Sequence, residues 1–567
     1  MPKEKFWKKS YDPGVDDIDP KSWEKSYIEA VLPTLKKFPN KAAFYFMGVK
    51  VTFADLDLYS NRFAQMLIAS GLKKGDAVGI NLPNIPEYII SWLGILKAGC
   101  VVSGVSPLMS AEEMEYQLKD LKAKGLVTLD AIFAGRLVKI ADNLPNLKLV
   151  VAASVGGFLP ALKRFLGKKL KKIPTGAVTP LAGKTIYRME EVIKSQKFSS
   201  ELPQIKITPD DLAYIQYTGG TTGAPKGAML THRNSVSDML LVQKWLGWEE
   251  GVGTALSGFP FFHIAGLFFN ICCSYLGWTQ ILIPNPRDTD HICKEITKYK
   301  PDVLVNVPSL FQMLLANPNF KTLDHSRLNN CISAASPFPE EAQKQLEEIV
   351  GSGKLLEVYG MTETAPLTVM NPSLGKKKLG HIGLPLINTE LKLVDPDTGQ
   401  EVELGKPGEI CVKGPQVMTG YFEKPDETKF AIDKDGYMHT GDVAIQDPEG
   451  YLRIVDRTKD MIIVGGYKVF SKRVEEILTE HPAVDMIALI GEANPDRPGS
   501  ELVRAYLTVK PDNKFGGDEA AIKKDLMNFA KAKLAPYEVP KEFEIRKELP
   551  LTTVGKVDKK KLRKKPV

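Results

Sequence analysis

Apolar residues recur at two different spacings along the chain. In Ala54–Ser70 they fall three or four positions apart, which predicts an amphipathic helix. Ala77–Leu82 is instead a short continuous apolar run, which is typical of a buried strand. Helix patterns recur at Glu87–Ala98, Ala111–Lys122 and Pro339–Ile349, and strand patterns at Cys100–Val105, Leu126–Leu129, Leu212–Gln216 and Asp302–Val305. This alternation predicts an α/β fold in which helices flank mostly parallel sheets.

The pattern changes from about residue 395 onward. Short apolar stretches are there separated by turn sequences such as Asp397–Gly399, which predicts a β-rich region. From about Lys459 the helix and strand patterns return over a stretch long enough for a small α+β domain. We therefore predict a large N-terminal core at 1–458 with a β-rich subdomain at about 385–458, and a C-terminal domain at 459–567.

One segment, Phe158–Lys172, combines an apolar and a basic face at helical spacing. The apolar residues are Phe158, Leu159, Leu162, Phe165, Leu166 and Leu170, and the basic residues are Lys163, Arg164, Lys168, Lys169, Lys171 and Lys172. A helix of this kind can lie on an anionic lipid surface. The alternative is a surface helix packed on its domain, and the sequence leaves both readings open.

Length and composition narrow the class of protein. A chain of 567 residues exceeds one compact core and suggests about two to four domains. An apolar content of 43% and a charged content of 25% are typical of globular proteins. The net charge of +7 does not by itself indicate a nucleic-acid partner, and none is expected. No signal-peptide core and no apolar run of about 18 residues is present, so we expect a cytoplasmic protein.

Cysteines and histidines give no metal-binding spacing. None of the six cysteines forms a CxxC pair, and none of the seven histidines belongs to an HExxH sequence. We therefore expect reduced, mostly buried thiols and no zinc site.

The strongest local signal is the loop Tyr217–Gly227, which is dense in glycine, threonine and lysine. Glycines let the backbone approach an anion closely, while hydroxyls and an ammonium supply donors and positive charge. A predicted strand precedes this loop and a helix pattern begins near Asn234, which suits a phosphate site. The loop is not a Walker A sequence, because Pro225 and Gly227 stand where a glycine and a Ser or Thr are required. A P-loop hydrolase is therefore disfavoured, and a plain surface turn is the minority alternative.

This loop and seven further motifs, in the same order, resemble the adenylate-forming superfamily of acyl-CoA synthetases, luciferases and peptide-synthetase adenylation domains. The further motifs are Phe259–Gly266, Ser333–Pro337, Glu357–Glu363, Tyr437–Asp442, Asp456–Asp460, Ile463–Lys468 and Leu549–Lys556. The resemblance extends from about Asn40 to Leu562 and is closest to bacterial long-chain fatty-acid–CoA ligases. Two motifs depart from the family pattern: Ser333–Pro337 lacks its usual glycine-rich form, and Val554 replaces a Ser or Thr.

The resemblance implies a role for each matching residue. ATP or AMP contacts are implied for Thr218, Gly219, Gly220, Thr221, Thr222, Gly223, Lys226, Ala335, Ser336, Glu357, Val358, Tyr359, Asp442 and Arg457. Catalytic roles are implied for Lys556, Thr362, Glu363 and His263, and Mg²⁺ binding for Glu363 and Thr218. Lys459 matches the hinge of a mobile C-terminal domain, and Gly465 and Gly466 match the strand that lines the coenzyme A tunnel.

The implied function is an ATP-dependent acyl-CoA ligase that acts through an acyl adenylate on a carboxylic acid, expected to be a medium- to long-chain fatty acid. An aryl- or alicyclic-acid ligase, or a fatty-acyl-AMP ligase that loads a carrier protein, remains an alternative. A non-catalytic nucleotide- or acyl-binding protein of the same fold is disfavoured by the intact motifs. Contact with the inner membrane face through Phe158–Lys172 is a hypothesis, and a homodimer is left open.

Overall fold

A computed structural model describes residues 5–218, 224–336, 338–465, 467–497, 500–511, 513–551 and 557–563. The chain divides into two compact units. The first comprises Met1–Glu390 and Lys413–Gly436, and the second comprises Leu391–Val412 and Tyr437–Val567. The β-rich segment after residue 390 therefore falls largely in the second unit. The domain boundary predicted between residues 458 and 459 stays a prediction.

The first unit contains a nine-stranded sheet in the order β16-β15-β14-β13-β12-β10-β11-β1-β2. Its six central strands, from β14 to β1, are parallel, and antiparallel strands complete both edges. The strands are β1 (Ala42–Phe46), β2 (Val49–Thr52), β10 (Thr254–Ser257), β11 (Thr279–Leu282), β12 (Val303–Asn306), β13 (Asn330–Ser333), β14 (Leu355–Gly360), β15 (Leu367–Met370) and β16 (Leu384–Pro385).

An eight-stranded sheet in the order β19-β9-β8-β4-β3-β5-β6-β7 completes the β-structure of this unit. Strands β8 to β7 are parallel, while β9 and β19 are antiparallel additions at one edge. The strands are β3 (Ala77–Asn81), β4 (Val101–Gly104), β5 (Gly125–Leu129), β6 (Leu149–Ala153), β7 (Thr185–Arg188), β8 (Leu212–Tyr217), β9 (Gly227–Thr231) and β19 (Gly420–Tyr421).

Fifteen described α-helices accompany these two sheets, and four of the longer ones begin at a capping box, at Ser26, Thr52, Ser110 and Thr231. They are α1 (Tyr27–Lys37), α2 (Phe53–Ala69), α3 (Pro86–Lys97), α4 (Ala111–Asp120), α5 (Asp130–Ile132), α6 (Val138–Ile140), α7 (Ala161–Lys169), α8 (Met189–Ile193), α9 (His232–Leu246), α10 (Ile264–Leu276), α11 (Thr289–Tyr299), α12 (Pro308–Ala316), α13 (Pro318–Lys321), α14 (Glu340–Val350) and α15 (Pro425–Ala431).

The second unit combines a four-stranded sheet, ordered β17-β18-β20-β21, with a two-stranded ribbon and a three-stranded sheet. The strands are β17 (Glu390–Val394), β18 (Gly408–Lys413), β20 (Met438–Gln446), β21 (Leu452–Arg457), β22 (Ile462–Val464), β23 (Tyr467–Val469), β24 (Val484–Ala493), β25 (Glu501–Val509) and β26 (Glu542–Ile545). The helices are α16 (Ser471–Thr479), α17 (Glu519–Lys533) and α18 (Lys559–Leu562). Apolar residues of α16, α17, β24 and β25 form one core cluster.

The predicted fold class is confirmed: parallel sheets with helices, a β-rich region and a C-terminal α+β region are all present. The helix pattern predicted near Asn234 is α9, but the sequence analysis did not predict the strand between the phosphate loop and this helix. The loop leads into the short strand β9, and α9 begins only at His232. All six cysteines are free and buried. Within the described ranges, no helix combines the length and apolar character needed to cross a membrane.

Candidate functional site

The phosphate loop connects the two strands of an antiparallel hairpin. The Thr218 N–H donates a hydrogen bond to the Lys226 carbonyl (2.9 Å), which closes the hairpin at the end of β8. Gly227 has no room for a side chain, because a Cβ there would lie 2.5 Å from Ile215 Cγ2. The predicted phosphate-binding residues Gly219–Gly223 lie outside the described residues. The flanking contacts therefore bring the two ends of the loop, Thr218 and Lys226, together.

Lys226 contacts two side chains from the region around β19 and α15. Its ammonium pairs with the Glu427 carboxylate and lies 5.2 Å from the centroid of the Tyr421 ring. Tyr421 in turn donates its hydroxyl hydrogen to Glu363 Oε1 at 2.7 Å. A continuous chain of contacts thus links the predicted phosphate-binding lysine to the predicted magnesium ligand.

Glu363 is a buried carboxylate in a single 3₁₀ turn, Thr362–Thr364, that follows β14. Its backbone carbonyl accepts a hydrogen bond from the Met418 N–H at 2.8 Å, which fixes the turn. Burial, reinforced by the Glu363 charge, raises the pKa of Tyr421, so its hydroxyl stays a donor at neutral pH. A carboxylate with one oxygen oriented in this way suits a hard cation such as Mg²⁺.

The predicted adenine-contacting turn follows β13, the neighbour of β14. Ala335 there has a φ of 70°, which turns the chain sharply before Ser336. Glu357 on β14 accepts hydrogen bonds from Gln343 Nε2 (2.8 Å) and from the Phe338 N–H (3.4 Å). The Glu357 carboxylate therefore holds the backbone directly after this turn. Val358 is buried, whereas Tyr359 is half-buried at the carboxyl end of the strand.

His263 caps the N-terminus of α10. Its Nδ1 accepts a hydrogen bond from the Ala265 N–H at 3.3 Å. The preceding Phe262 carbonyl accepts from Gln216 Nε2 on β8 at 2.5 Å. The same carbonyl oxygen packs closely against Gly104 on β4, where a Cβ would lie only 2.3 Å from it. These contacts hold the His263 segment against the carboxyl ends of two central strands.

In the second unit, Asp442 and Arg457 face each other on β20 and β21. Arg457 Nε donates to Asp442 Oδ1 at 2.9 Å, and the two residues are register partners. The backbone of β20 just before Asp442 is fixed by Glu409 Oε1, which accepts a hydrogen bond from the Gly441 N–H at 2.9 Å. The two residues predicted to contact ribose are therefore held together. Their role in nucleotide binding stays a prediction.

The predicted hinge residue Lys459 follows β21. Burial, together with the nearby Arg457 charge, lowers the pKa of its ammonium to about 8. The Lys459 carbonyl accepts a hydrogen bond from Arg563 Nη2 at 3.2 Å, and the same guanidinium pairs with Asp460 at 2.8 Å. The predicted hinge is thus hydrogen-bonded to Arg563, which lies about a hundred positions later in the sequence.

Of the predicted coenzyme A contacts, Gly465 has a φ of 57° and its N–H donates to Ser500 Oγ at 2.9 Å. Gly466 and the catalytic candidate Lys556 lie outside the described residues. Leu551 and Val557, which flank the Lys556 segment, pair in an antiparallel bridge. Beyond them, Lys559 forms an ion pair with Glu475 on α16 at 2.7 Å.

Sequence reasoning missed Tyr421, Glu427 and the Lys559–Glu475 pair. Tyr421 lies 58 positions from Glu363, and Glu427 lies 201 positions from Lys226. No periodicity or local spacing relates residues so far apart. Only the density of turn residues around 414–427 marks that region, and this does not identify a partner.

Relatives of known name match nearly the whole chain. A long-chain-fatty-acid–CoA ligase of Bacillus subtilis is 39% identical over 532 residues, covering 93% of this chain and 92% of that protein. A ligase of the same name from Escherichia coli O6:H1 is 37% identical, covering 99% of this chain and 98% of that protein. The crystal structure of the anthranilate CoA ligase AuaEII with anthranoyl-AMP is similar, with a TM-score of 0.82 and 25% identity over 96% of this chain and 98% of that one.

Two family profiles match along the chain. The AMP-binding enzyme profile matches residues 33–422, and that of the AMP-binding enzyme C-terminal domain matches residues 473–556. The first match includes the phosphate loop, His263 and Glu363, and the second ends at Lys556. The chain therefore belongs to the AMP-binding enzyme family.

Proposed function

We propose that the protein is an ATP-dependent acyl-CoA ligase. It converts a carboxylic acid, ATP and coenzyme A to acyl-CoA, AMP and diphosphate through an acyl adenylate. The observation that supports this most directly is the chain of contacts from Lys226 through Tyr421 to Glu363, which joins a phosphate-binding lysine to a carboxylate suited to a metal ion. Relatives named long-chain-fatty-acid–CoA ligases favour a medium- to long-chain fatty acid as the substrate.

In the first half-reaction the acid attacks the α-phosphate, so two anions must approach each other. Lys226 and the loop donors bind the phosphates, Thr362 contacts the α-phosphate, and Lys556 stabilises the charge that develops there. Glu363 and Thr218 would hold Mg²⁺, which when bound neutralises phosphate charge. Tyr359 packs on adenine beside Ala335 and Ser336, while Asp442 and Arg457 hold the ribose.

In the second half-reaction a thiol must reach the acyl carbon. We infer that rotation about Lys459 withdraws Lys556 and introduces Gly465 and Gly466, whose lack of side chains leaves space for the pantetheine arm. His263 lies beside the acyl group in this scheme. The adenylate has a good leaving group, AMP, so no covalent enzyme nucleophile is needed.

The deciding experiment measures diphosphate release and acyl-CoA formation over a panel of fatty, aryl and alicyclic acids, with and without coenzyme A. We expect diphosphate release to depend on a fatty acid, and AMP release to depend on coenzyme A. Diphosphate release without any acid dependence would overturn the proposal.

Two related activities are separated by the same assay. Preference for aryl acids would match the anthranilate ligase whose structure is similar. Adenylate formation without thioester formation from free coenzyme A would indicate a ligase that loads a carrier protein. Fatty acids partition into membranes, so the proposal includes peripheral membrane contact through Phe158–Lys172.

A further inference from the structure

Helix α7 exposes its apolar side chains to solvent. None of its nine residues is buried. Leu162 is 70% exposed, Phe165 62% and Leu166 45%, and Leu170, which follows the helix, is 63% exposed. Scattered exposed apolar residues are common, but four on one short segment form a contiguous patch.

The helix is oriented opposite to an ordinary surface helix, which buries its apolar stripe. At about 100° per residue, Leu162, Phe165 and Leu166 lie on one side of α7, and Arg164 and Gly167 lie on the other. It is this second side that faces the protein. A Cβ at Gly167 would lie 2.5 Å from Ile173 Cδ1, and the Arg164 guanidinium pairs with Glu190 on α8.

Both ends of the segment are anchored. Leu159 before the helix and Ile173 after it are each 8% exposed, and the Phe158 ring packs edge-on against Tyr59 with centroids 6.1 Å apart. The glycine and arginine side of α7 is thus held against the domain. The apolar stripe therefore faces solvent, while the ends of the segment and the opposite side of α7 pack against the domain.

All charged side chains of the segment that carries the stripe are basic, and the acidic partner of Arg164 comes from α8. From Ser154 to Arg188 the chain contains no aspartate or glutamate. Five lysines, Lys163, Lys168, Lys169, Lys171 and Lys172, lie in or directly after α7. Long lysine side chains can extend from an apolar stripe to the phosphate level of a bilayer while the stripe enters the acyl boundary.

We propose that α7 docks on a bilayer that contains anionic lipids, with Leu162, Phe165, Leu166 and Leu170 entering the acyl boundary and the five lysines contacting lipid phosphates. This inference rests on the membrane contact included in the proposed function and adds the face, its orientation and the lipid charge. A ligase docked in this way takes its acid from the bilayer in which that acid is dissolved.

The test is co-sedimentation of the full-length protein with phosphatidylcholine vesicles, with and without phosphatidylglycerol. We expect binding that requires the anionic lipid. Replacing Lys168, Lys169, Lys171 and Lys172 by glutamine should weaken it about a hundredfold or more. The triple variant Leu162→Ser, Phe165→Ser, Leu166→Ser should also lose binding, while Leu374→Ser, at a remote residue that is 85% exposed, should not.

Insertion is tested separately with Phe165→Trp, whose fluorescence should be quenched by lipids brominated in the acyl chain. Wild-type protein that fails to bind anionic vesicles, or serine and glutamine variants that bind as wild type, would overturn the docking proposal. Ligase activity on a medium-chain acid dissolved in buffer without vesicles should remain in all variants. Loss of that activity in the wild type would instead contradict the proposed function.

Discussion

Tyr421 connects two predicted functions through one side chain, since its ring contacts the Lys226 ammonium and its hydroxyl holds Glu363. A tyrosine is suited to this position because it presents an electron-rich face to a cation and a neutral donor to a carboxylate. Removing the hydroxyl leaves the ring in place. The two contacts can therefore be separated by mutation.

We predict that Tyr421→Phe weakens binding of MgATP on the order of tenfold while changing metal-free ATP binding much less. The physical reason is loss of a hydrogen bond to a charged group that orients the metal ligand. Titration calorimetry with and without Mg²⁺ measures both affinities. Tyr299→Phe, a change of the same kind on α11, is the control, and equal weakening in both conditions would contradict the role.

Glu427 pairs with Lys226 and, if Lys226 binds phosphate as proposed, would compete with phosphate for the same ammonium. We predict that Glu427→Gln tightens ATP binding a few-fold, because an exposed ion pair contributes about 1 kcal/mol or less. Equilibrium binding of a fluorescent ATP analogue measures the change. The nearby Glu423→Gln, whose carboxylate pairs with Lys122, alters the net charge equally and should have a smaller effect. Weaker ATP binding in Glu427→Gln would contradict the competition.

At the scale of the element, α3 is buried along all twelve of its residues, including Glu87. Burial raises the pKa of Glu87 from 4.5 to about 8. Above about pH 5 the unfolded carboxyl loses its proton, whereas the folded one keeps it up to about pH 8. The stability of the native state therefore falls as the pH rises through this window.

We predict that Glu87→Gln removes this dependence, because an amide does not titrate. The pKa difference implies that the unfolding free energy of the wild type decreases by up to about 3 kcal/mol between pH 5 and pH 7.5. Thermal unfolding midpoints of both proteins over this range measure it, with the exposed Glu348→Gln on α14 as control. Parallel pH profiles for the wild type and Glu87→Gln would show that Glu87 does not titrate as described.

Elements with strong periodicity could be predicted from the sequence, and distant pairings could not. The helix predicted at Ala54–Ser70 is α2, and the strand predicted at Ala77–Leu82 is β3, each within one residue at its ends. Strand β9 was missed because Gly227–Thr231 is short and follows a loop rather than an apolar run. Contacts such as Tyr421 with Glu363 depend on how β19 joins its sheet edge, which no local pattern encodes.

At the scale of the whole molecule, Lys459 lies inside the second unit. Rotation about this residue would separate the sheet formed by β17, β18, β20 and β21 from the elements that follow. Within this unit, Lys468 follows the predicted hinge in the sequence. Its ammonium forms ion pairs with two carboxylates that precede the hinge, Asp395 at 3.2 Å and Asp397 at 2.8 Å. The rotation about Lys459 proposed between the two half-reactions would therefore break or remake this bridge.

We predict that Lys556→Ala lowers adenylate formation about 10²- to 10³-fold but leaves thioester formation from preformed acyl adenylate nearly unchanged. In the proposed scheme Lys556 contacts the α-phosphate while the adenylate forms, and it is withdrawn before the thiol displaces AMP from the acyl carbon. Rapid-quench assays of each half-reaction measure both rates. Lys561→Ala, at an exposed lysine of α18, is the matched control, and equal losses in the two half-reactions would contradict the assignment.

The burial of all six cysteines has a practical consequence for observing this motion. Deprotonation of thiols such as that of Cys273 is suppressed because burial raises its pKa, so maleimide reagents would react slowly with the native protein. Paired dyes placed by Leu374→Cys in the first unit and Lys531→Cys on α17 would then label those positions selectively. Single-molecule energy transfer between them could follow one turnover as ATP, acid and coenzyme A are added in sequence.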